Sequence, residues 1–351
     1  MRRFNINTEN NLNYKEIEYK NITEYDGTRK KKGVIISAQG EKSFSKEQVD
    51  KLRTVMDVEF KTQAGSATRS EFIEMARDAE ILAITRRPLK DIDSELIDSL
   101  PKLESLAVYT TGCEWIDVDH LNKKGIKLSY LPHYATTPVA EHTLACMLLM
   151  GRRIHLSSDK IKNTIPQSIS LRGWDLKGKK LGIVGFGRIG QEVAKLSNAF
   201  GMNITYYDPI KTPSDIAEYE SYSSLLSTSD VIAVTCSKVR NAPPIISYNE
   251  LSLIKKGCYI INTARADLVD NEAILESLNT KHLSGYTVDD EVAPLADEHL
   301  ADYGRVYQTG HTAWYSTEAI ERGTEEWTNN IVALAKGINR NLFNERVLIN
   351  E

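Results

Sequence analysis

The sequence predicts an α/β protein built of two doubly wound parallel sheets, each covered by helices on both faces. Three observations predict it. Short unbroken runs of β-branched residues alternate with helix-length stretches, the pattern of strands buried on both faces. These runs fall into two series on either side of a long apolar stretch, residues 139–152. The length of 351 residues suits about two ordinary domains.

Each element follows in order. Residues 1–32 are polar, rich in Asn, Glu, Tyr and Lys, and close on the basic run Arg29-Lys30-Lys31-Lys32. Interspersed acids make this a solvated leader rather than a nucleic-acid arm. Strands are expected at 34–36, 81–85 and 106–110, with a helix at 70–77 between the first two. The stretch 139–152 (VAEHTLACMLLMGR) is apolar beyond one stripe, so this helix is expected to lie between domains or subunits. Residues 172–178 form a polar, turn-rich link. The second series places strands at 181–184, 204–207, 231–234, 259–262, 286–288 and, weakly, 306–308, and a final helix at 316–341. Six strands in this rhythm fit a nucleotide-binding unit.

Composition excludes several classes. Hydrophobic residues are 41% and charged residues 26%, as in ordinary globular chains. A net charge of -4 lacks the positive field of a nucleic-acid binder. The four cysteines, Cys113, Cys146, Cys236 and Cys258, show neither CxxC nor Cys/His ligand spacing. No metal site or disulfide framework is therefore expected, and a reducing compartment is. No apolar run is long enough to cross a membrane, and no apolar segment follows the N-terminal arginines. The expectation is a soluble cytoplasmic protein.

The most specific local signal is a strand running into Gly185-Phe186-Gly187-Arg188-Ile189-Gly190, a GxGxxG loop. Gly185 allows the tight turn, Gly187 lets backbone approach a pyrophosphate, and Gly190 lets the following helix pack on the strand. That helix carries Ile189, Val193, Leu196 and Phe200 on one face, and its N-terminus holds phosphate. The next strand ends in Asp208, 18 residues after Gly190. A carboxylate there accepts hydrogen bonds from ribose hydroxyls and repels a 2′-phosphate, which favours NAD over NADP. Lys211 nearby tempers that preference.

The chain resembles the D-isomer-specific 2-hydroxyacid dehydrogenases from about Val34 to Asn341. Residues 107–117 (AVYTTGCEWID) are similar to the family's substrate-carboxylate loop, and 138–143 (PVAEHT) to the start of its interdomain helix. Residues 262–270 (NTARADLVD) are similar to its arginine motif, and 309–315 (TGHTAWY) to its histidine motif. The resemblance implies two Rossmann-like or flavodoxin-like domains with the active site in the cleft between them. Residues 135–313 would be the NAD-binding domain, 33–134 and 314–351 the substrate domain. A homodimer joined through the NAD-binding domains is implied, with no nucleic acid or membrane partner. The 40 residues after His311 are too few for an appended regulatory domain.

The chemistry needs an acid–base group and a fixed cation for a small anionic substrate. Of seven histidines, His311 follows the last expected strand of the nucleotide unit, where crevice loops bind ligands. His142 lies inside a helix and reads as a packed or interface residue. Arg265 follows the strand 259–262 and can grip a carboxylate with two parallel hydrogen bonds. Backbone N–H groups around Thr111 and Gly112 would hold the carboxylate's other side. For the cofactor, the resemblance implies contacts from Gly185, Gly187, Arg188, Ile189, Gly190, Asp208, Pro209, Ser237, Thr263, Ala264 and Val139. Asp289 matches the family acid that binds the nicotinamide carboxamide or ribose.

The chain departs from the family pattern at several points. The family places a Glu five positions beyond this Asp to orient the His, and here that position is Pro294. Glu291 turning inward is the first expectation; substitution by Asp290, Asp297 or Glu298, and a missing partner, are the two alternatives. Ala266 replaces the usual Gly after Arg265. Ser237-Lys238-Val239 stands where the family often has Pro-Leu-Thr. Trp314-Tyr315 replaces a common Gly-Gly, a pair similar to lactate-type members and the C-terminal-binding corepressors. Trp314 either narrows the substrate pocket or packs the hinge. The leading function is NAD-dependent hydride transfer between a D-2-hydroxy acid and its 2-oxo acid. An NAD(H)-sensing, corepressor-like protein and a formate- or phosphite-type dehydrogenase are the alternatives.

Overall fold

The structure is a computed structural model that describes residues 29–295 and 304–343. Most of the expected leader, residues 1–28, lies outside the described residues. Its basic end sits on the folded body: Arg29 pairs with Glu80 and Lys31 with Glu104.

The first sheet contains β1 (Lys32–Ser37), β2 (Asp57–Thr62), β3 (Ile81–Thr85), β4 (Ser105–Tyr109) and β5 (Lys127–Ser129). All are parallel, in the order β2-β1-β3-β4-β5. The second contains β6 (Lys180–Val184), β7 (Asn203–Tyr207), β8 (Glu218–Tyr219), β9 (Val231–Val234), β10 (Tyr259–Asn262), β11 (Gly285–Val288) and β12 (Val306–Gln308). These too are parallel, in the order β12-β11-β10-β9-β6-β7-β8. Both orders reverse once, so each sheet has a crevice at its carboxyl edge, where doubly wound proteins bind ligands. The predicted fold class is the one observed.

The core explains why the central strands read so clearly. Along β1, Val34 and Ile36 pack into one buried cluster and Ile35 into another on the opposite face. β3 repeats this with Leu82 and Ile84 against Ile81 and Ala83. Three strands were not expected from the sequence. β2 (DVEFKT) is a half-exposed edge strand rich in charge, β5 spans three residues and β8 two. None of them carries the continuous apolar run of a doubly covered strand.

The helix Thr136–Arg152 starts three residues before the expected 139. Its Val139 joins the first sheet's cluster, whereas Leu144, Met147 and Met150 join the second's, so one helix is shared by both cores. The last helix, Thr317–Ala335, returns to the first sheet and places Trp327, Ile331 and Leu334 beside Ile35 and Ala83. It ends six residues before the expected 341, because Gly337 turns the backbone left-handed at φ 73°.

Trp327 is the largest fully buried side chain; it faces Phe44 at 5.5 Å between ring centres and donates from Nε1 to the Ala107 carbonyl at 3.1 Å. Trp327→Ala leaves that carbonyl unpaired and a large void. It is expected to lower stability by about 3–5 kcal/mol, read as a shift in denaturant midpoint.

Candidate active site

Every chemical group singled out in the second sheet follows the carboxyl end of a strand. β6 runs into the glycine loop, whose three glycines are required for three different reasons. Gly185 has φ 96°, and a side chain there would strike Cys236 backbone at 2.4 Å. A Cβ at Gly190 would lie 2.2 Å from the Gly185 carbonyl. At Gly187 a Cβ would meet nothing within 4 Å, so this face of the loop is open space. Gly187 is also the N-cap of the helix Arg188–Ala199, and no side chain caps it. Open volume in front of unpaired helix N–H groups is what a pyrophosphate needs, so these residues fit a dinucleotide.

Asp208, after β7, accepts from the Phe186 N–H through Oδ2 and from the Ile210 N–H through Oδ1, both at 2.8 Å. The acid thereby ties the glycine loop to the next crossover. Lys211 points away from it, over the Tyr219 ring at 5.0 Å. Pro209 and Ser237 are exposed on the neighbouring loops. Thr263 is buried, and its hydroxyl meets that of Thr143 on the shared helix at 2.7 Å. The Ala264 N–H donates to Asn262 Oδ1 at 3.1 Å.

Arg265 follows β10. Its Nη1 donates to the Ala264 carbonyl at 2.9 Å and its Nε to Glu114 Oε1 at 2.6 Å, across the cleft. Burial opposes both charges, but the pair outweighs it: the Glu114 pKa lies below its ordinary value and that of Arg265 above. Arg265 Nη2 lies so close to Gly112 that a Cβ there would approach it to 2.3 Å. The carboxylate loop and the arginine loop therefore do meet. The Gly112 N–H itself points back to Thr110 Oγ1 at 3.3 Å, and Thr111 is half-buried beside it.

His311 follows β12 and takes a left-handed conformation, φ 60°, after Gly310. Asp289, buried at the end of β11, fixes this loop. Its Oδ1 accepts from Thr309 Oγ1 and the Thr312 N–H, both at 2.7 Å, and its Oδ2 from the Ala313 N–H at 2.9 Å. Those bonds bracket His311 on both sides, so the acid expected to face nicotinamide is committed to the histidine loop. His142 reaches the same loop through Thr309 Oγ1 at 3.2 Å. Crowding by protein, then the Arg265 charge, lowers the His311 pKa below its ordinary 6.5; Asp289, Asp290 and Glu114 pull the other way.

The structure does not bring Glu291 to His311, which corrects the first expectation for the orienting acid. Glu291 is exposed, its backbone N–H donates to Asp290 Oδ1 at 3.0 Å, and its carboxylate makes no hydrogen bond to the His311 ring. Among the described residues no carboxylate is hydrogen-bonded to the His311 ring. Asp297 and Glu298 lie outside the described residues. The Trp314 ring centre lies 6.4 Å from that of Tyr109 and 6.1 Å from that of Tyr134.

Two site residues escaped sequence reasoning. Asn262 bonds the Ala264 N–H, the Arg265 carbonyl and the Tyr286 hydroxyl, holding the arginine loop at both ends. A polar residue closing an otherwise apolar buried strand was the available signal. Glu114 had no such signal, because its partner lies 151 positions away. Among the described residues no cluster of His, Cys, Asp or Glu is arranged to hold a metal.

The family described as "D-isomer specific 2-hydroxyacid dehydrogenase, NAD binding domain" matches residues 144–313. A glyoxylate reductase of Thermococcus litoralis is 34% identical over 80% of this chain and 88% of its own. A hydroxypyruvate reductase of Thermotoga maritima is 32% identical over 72% and 84%. Among solved structures, D-lactate dehydrogenase from Aquifex aeolicus, complexed with NAD and lactic acid, superposes with a TM-score of 0.73 at 26% identity, covering 87% of this chain and 96% of that one.

The glycine loop makes a separable prediction. Gly187→Ala should leave the melting temperature nearly unchanged while weakening NADH binding, measured by fluorescence titration. Gly190→Ala, which must displace the Gly185 carbonyl, should lower both.

Proposed function

The chain belongs to the D-isomer-specific 2-hydroxyacid dehydrogenase family, and from that premise we propose the roles of its residues. The protein is an NAD-dependent oxidoreductase that interconverts D-2-hydroxy acids and 2-oxo acids. NAD, when bound, supplies or accepts the hydride. The glycine loop would hold its pyrophosphate, and Asp208 would face its adenosine ribose.

His311 is the acid–base group. In reduction it donates a proton to the oxygen that becomes the hydroxyl; in oxidation it removes that proton. Arg265 holds the substrate carboxylate. With Nε taken by Glu114 and Nη1 by the Ala264 carbonyl, Nη2 faces the Gly112 loop and is left for the carboxylate. The observation that carries the assignment is that the arginine and histidine loops follow β10 and β12, on either side of β11. Asp289, at the end of β11, clamps one of them. The relatives are named for glyoxylate and hydroxypyruvate, so these are the first acids to test.

The domain division at 134/135 and 313/314 is part of this reading, supported by two sheets and a last helix packed on the first. We also propose pairing of two copies. The segment after the shared helix exposes Ile154, Ile161 and Leu171, with Ile161 82% accessible, and an identical face on a second chain would cover them. Sedimentation equilibrium should give a dimer that Ile161→Lys weakens. A reducing, cytoplasmic setting accords with the four unpaired thiols. No helix among the described residues is long and apolar enough to cross a membrane.

NADH oxidation should be followed with glyoxylate, hydroxypyruvate and pyruvate. His311→Ala is expected to reduce turnover by about 10²–10⁴-fold. Tight NADH binding without turnover of any 2-oxo acid would favour a sensor instead. Reduction needs the protonated imidazole, so kcat/KM for reduction should fall as pH rises, with its midpoint below 6.5. A midpoint above 6.5 would point to an acid acting directly on the ring.

A further inference from the structure

A second guanidinium stands in the cleft, and nothing described above uses it. Arg86 directly follows β3, at the carboxyl edge of the first sheet. It is fixed on two sides. Its guanidinium lies over the Trp115 ring at 4.6 Å, and its Nη1 donates to the Leu89 carbonyl at 2.6 Å. Trp115 in turn donates from Nε1 to the carbonyl of Gly112, the residue pressed against Arg265. Arg86 and Arg265 thus stand on the same short loop, reached from opposite domains.

Arg86 has no carboxylate within 4 Å among the described residues, although acids lie close by. Two are held by other arginines, Glu114 by Arg265 at 2.6 Å and Asp91 by Arg240 at 2.6 and 3.1 Å, and Asp290 accepts from the Glu291 N–H at 3.0 Å. Partial burial opposes its charge, and the nearest influences on it are Glu114, Arg265, Asp91 and Asp290. A half-buried, pre-oriented cation without a counter-ion carries a desolvation cost that an incoming anion would offset. Its Nε and Nη2 edge has no partner among the described residues, and that edge matches a carboxylate side-on.

We propose that Arg86 binds a second carboxylate, at the end of the substrate remote from the reacting carbon, and that the preferred substrate is a 2-oxo dicarboxylic acid. Arg265 takes the carboxylate beside the reacting carbon and Arg86 the distal one. A carboxylate suits the site better than a phosphate, because Glu114, Asp91 and Asp290 would repel a dianion more strongly than a monoanion. The inference rests on the dehydrogenase assignment and narrows its substrate class.

Two measurements test it. With NADH, kcat/KM should be compared for oxaloacetate and 2-oxoglutarate against pyruvate and 2-oxobutyrate, with 3-phosphohydroxypyruvate as the phosphate arm. The dicarboxylates should lead by more than tenfold. Arg86→Gln should cut that ratio at least tenfold, chiefly through KM, and Arg86→Lys should fall between. Independently of turnover, the NAD-loaded protein should be titrated calorimetrically with succinate and glutarate against propionate and butyrate. The wild type should bind the diacids at least tenfold more tightly, and Arg86→Gln should erase the difference. Equal affinities in the wild type, or an unchanged ratio in Arg86→Gln, would overturn the proposal. So would preference for the phosphorylated acid. Diacid selectivity in calorimetry without turnover of any 2-oxo acid would uphold the Arg86 site and count against the dehydrogenase assignment instead.

Discussion

The Arg265–Glu114 ion pair is the contact on which the site depends. It joins the carboxyl edge of one sheet to that of the other through a single 2.6 Å hydrogen bond between charged groups. Both side chains are largely shielded from water, so each charge without the other would carry an uncompensated desolvation cost. The pair does more than close the cleft. By occupying Nε and leaving the Nη2 edge toward Gly112, Glu114 sets the direction in which the guanidinium faces. Arg240, bonded to Asp91 and to the Glu114 carbonyl, braces the same loop from the cofactor side.

The histidine loop is held by a different device. A left-handed residue at φ 60° is costly for any side chain but glycine, and His311 keeps that conformation because its neighbours are over-determined. Asp289 takes three hydrogen bonds from Thr309, Thr312 and Ala313. Among the described residues the imidazole is aimed by its backbone, and no carboxylate is hydrogen-bonded to the ring. That arrangement leaves its pKa to crowding by neighbouring protein and to the Arg265 charge, which lower it against the opposing pull of Asp289, Asp290 and Glu114.

How much of this was legible in the sequence follows from where each signal resides. Central parallel strands are apolar on both faces, so β3, β9 and β10 stand out as short runs. Edge strands such as β2 are wetted on one side and lose that mark. The glycine loop and Asp208 were legible because a strand, tight turn and helix dictate residue type locally, and Asp208 lies only 22 positions from its partner Phe186. Arg265 and His311 were legible through motifs that a family shares. The Glu114 bond, the Arg86–Trp115 stack and the outward turn of Glu291 were not. They depend on which loops of two separate sheets come face to face, a property of the assembled fold that no spacing encodes.

The sharing of one aromatic cluster by both connections has a mechanical consequence. In the proposed domain division the chain passes from lobe to lobe near Tyr134 and back near Trp314, and the centres of these two rings lie 6.1 Å apart. Arg322 stitches the first crossing to the last helix by donating to the Tyr134 carbonyl at 3.0 Å. Two covalent crossings this close together define a pivot line, so any opening of the mouth is a swing about Tyr134 and Trp314, with slip between the lobes suppressed. Displacement is then smallest at these rings and grows with distance from them, and the Arg240–Asp91 fork is a bond whose length would report the swing.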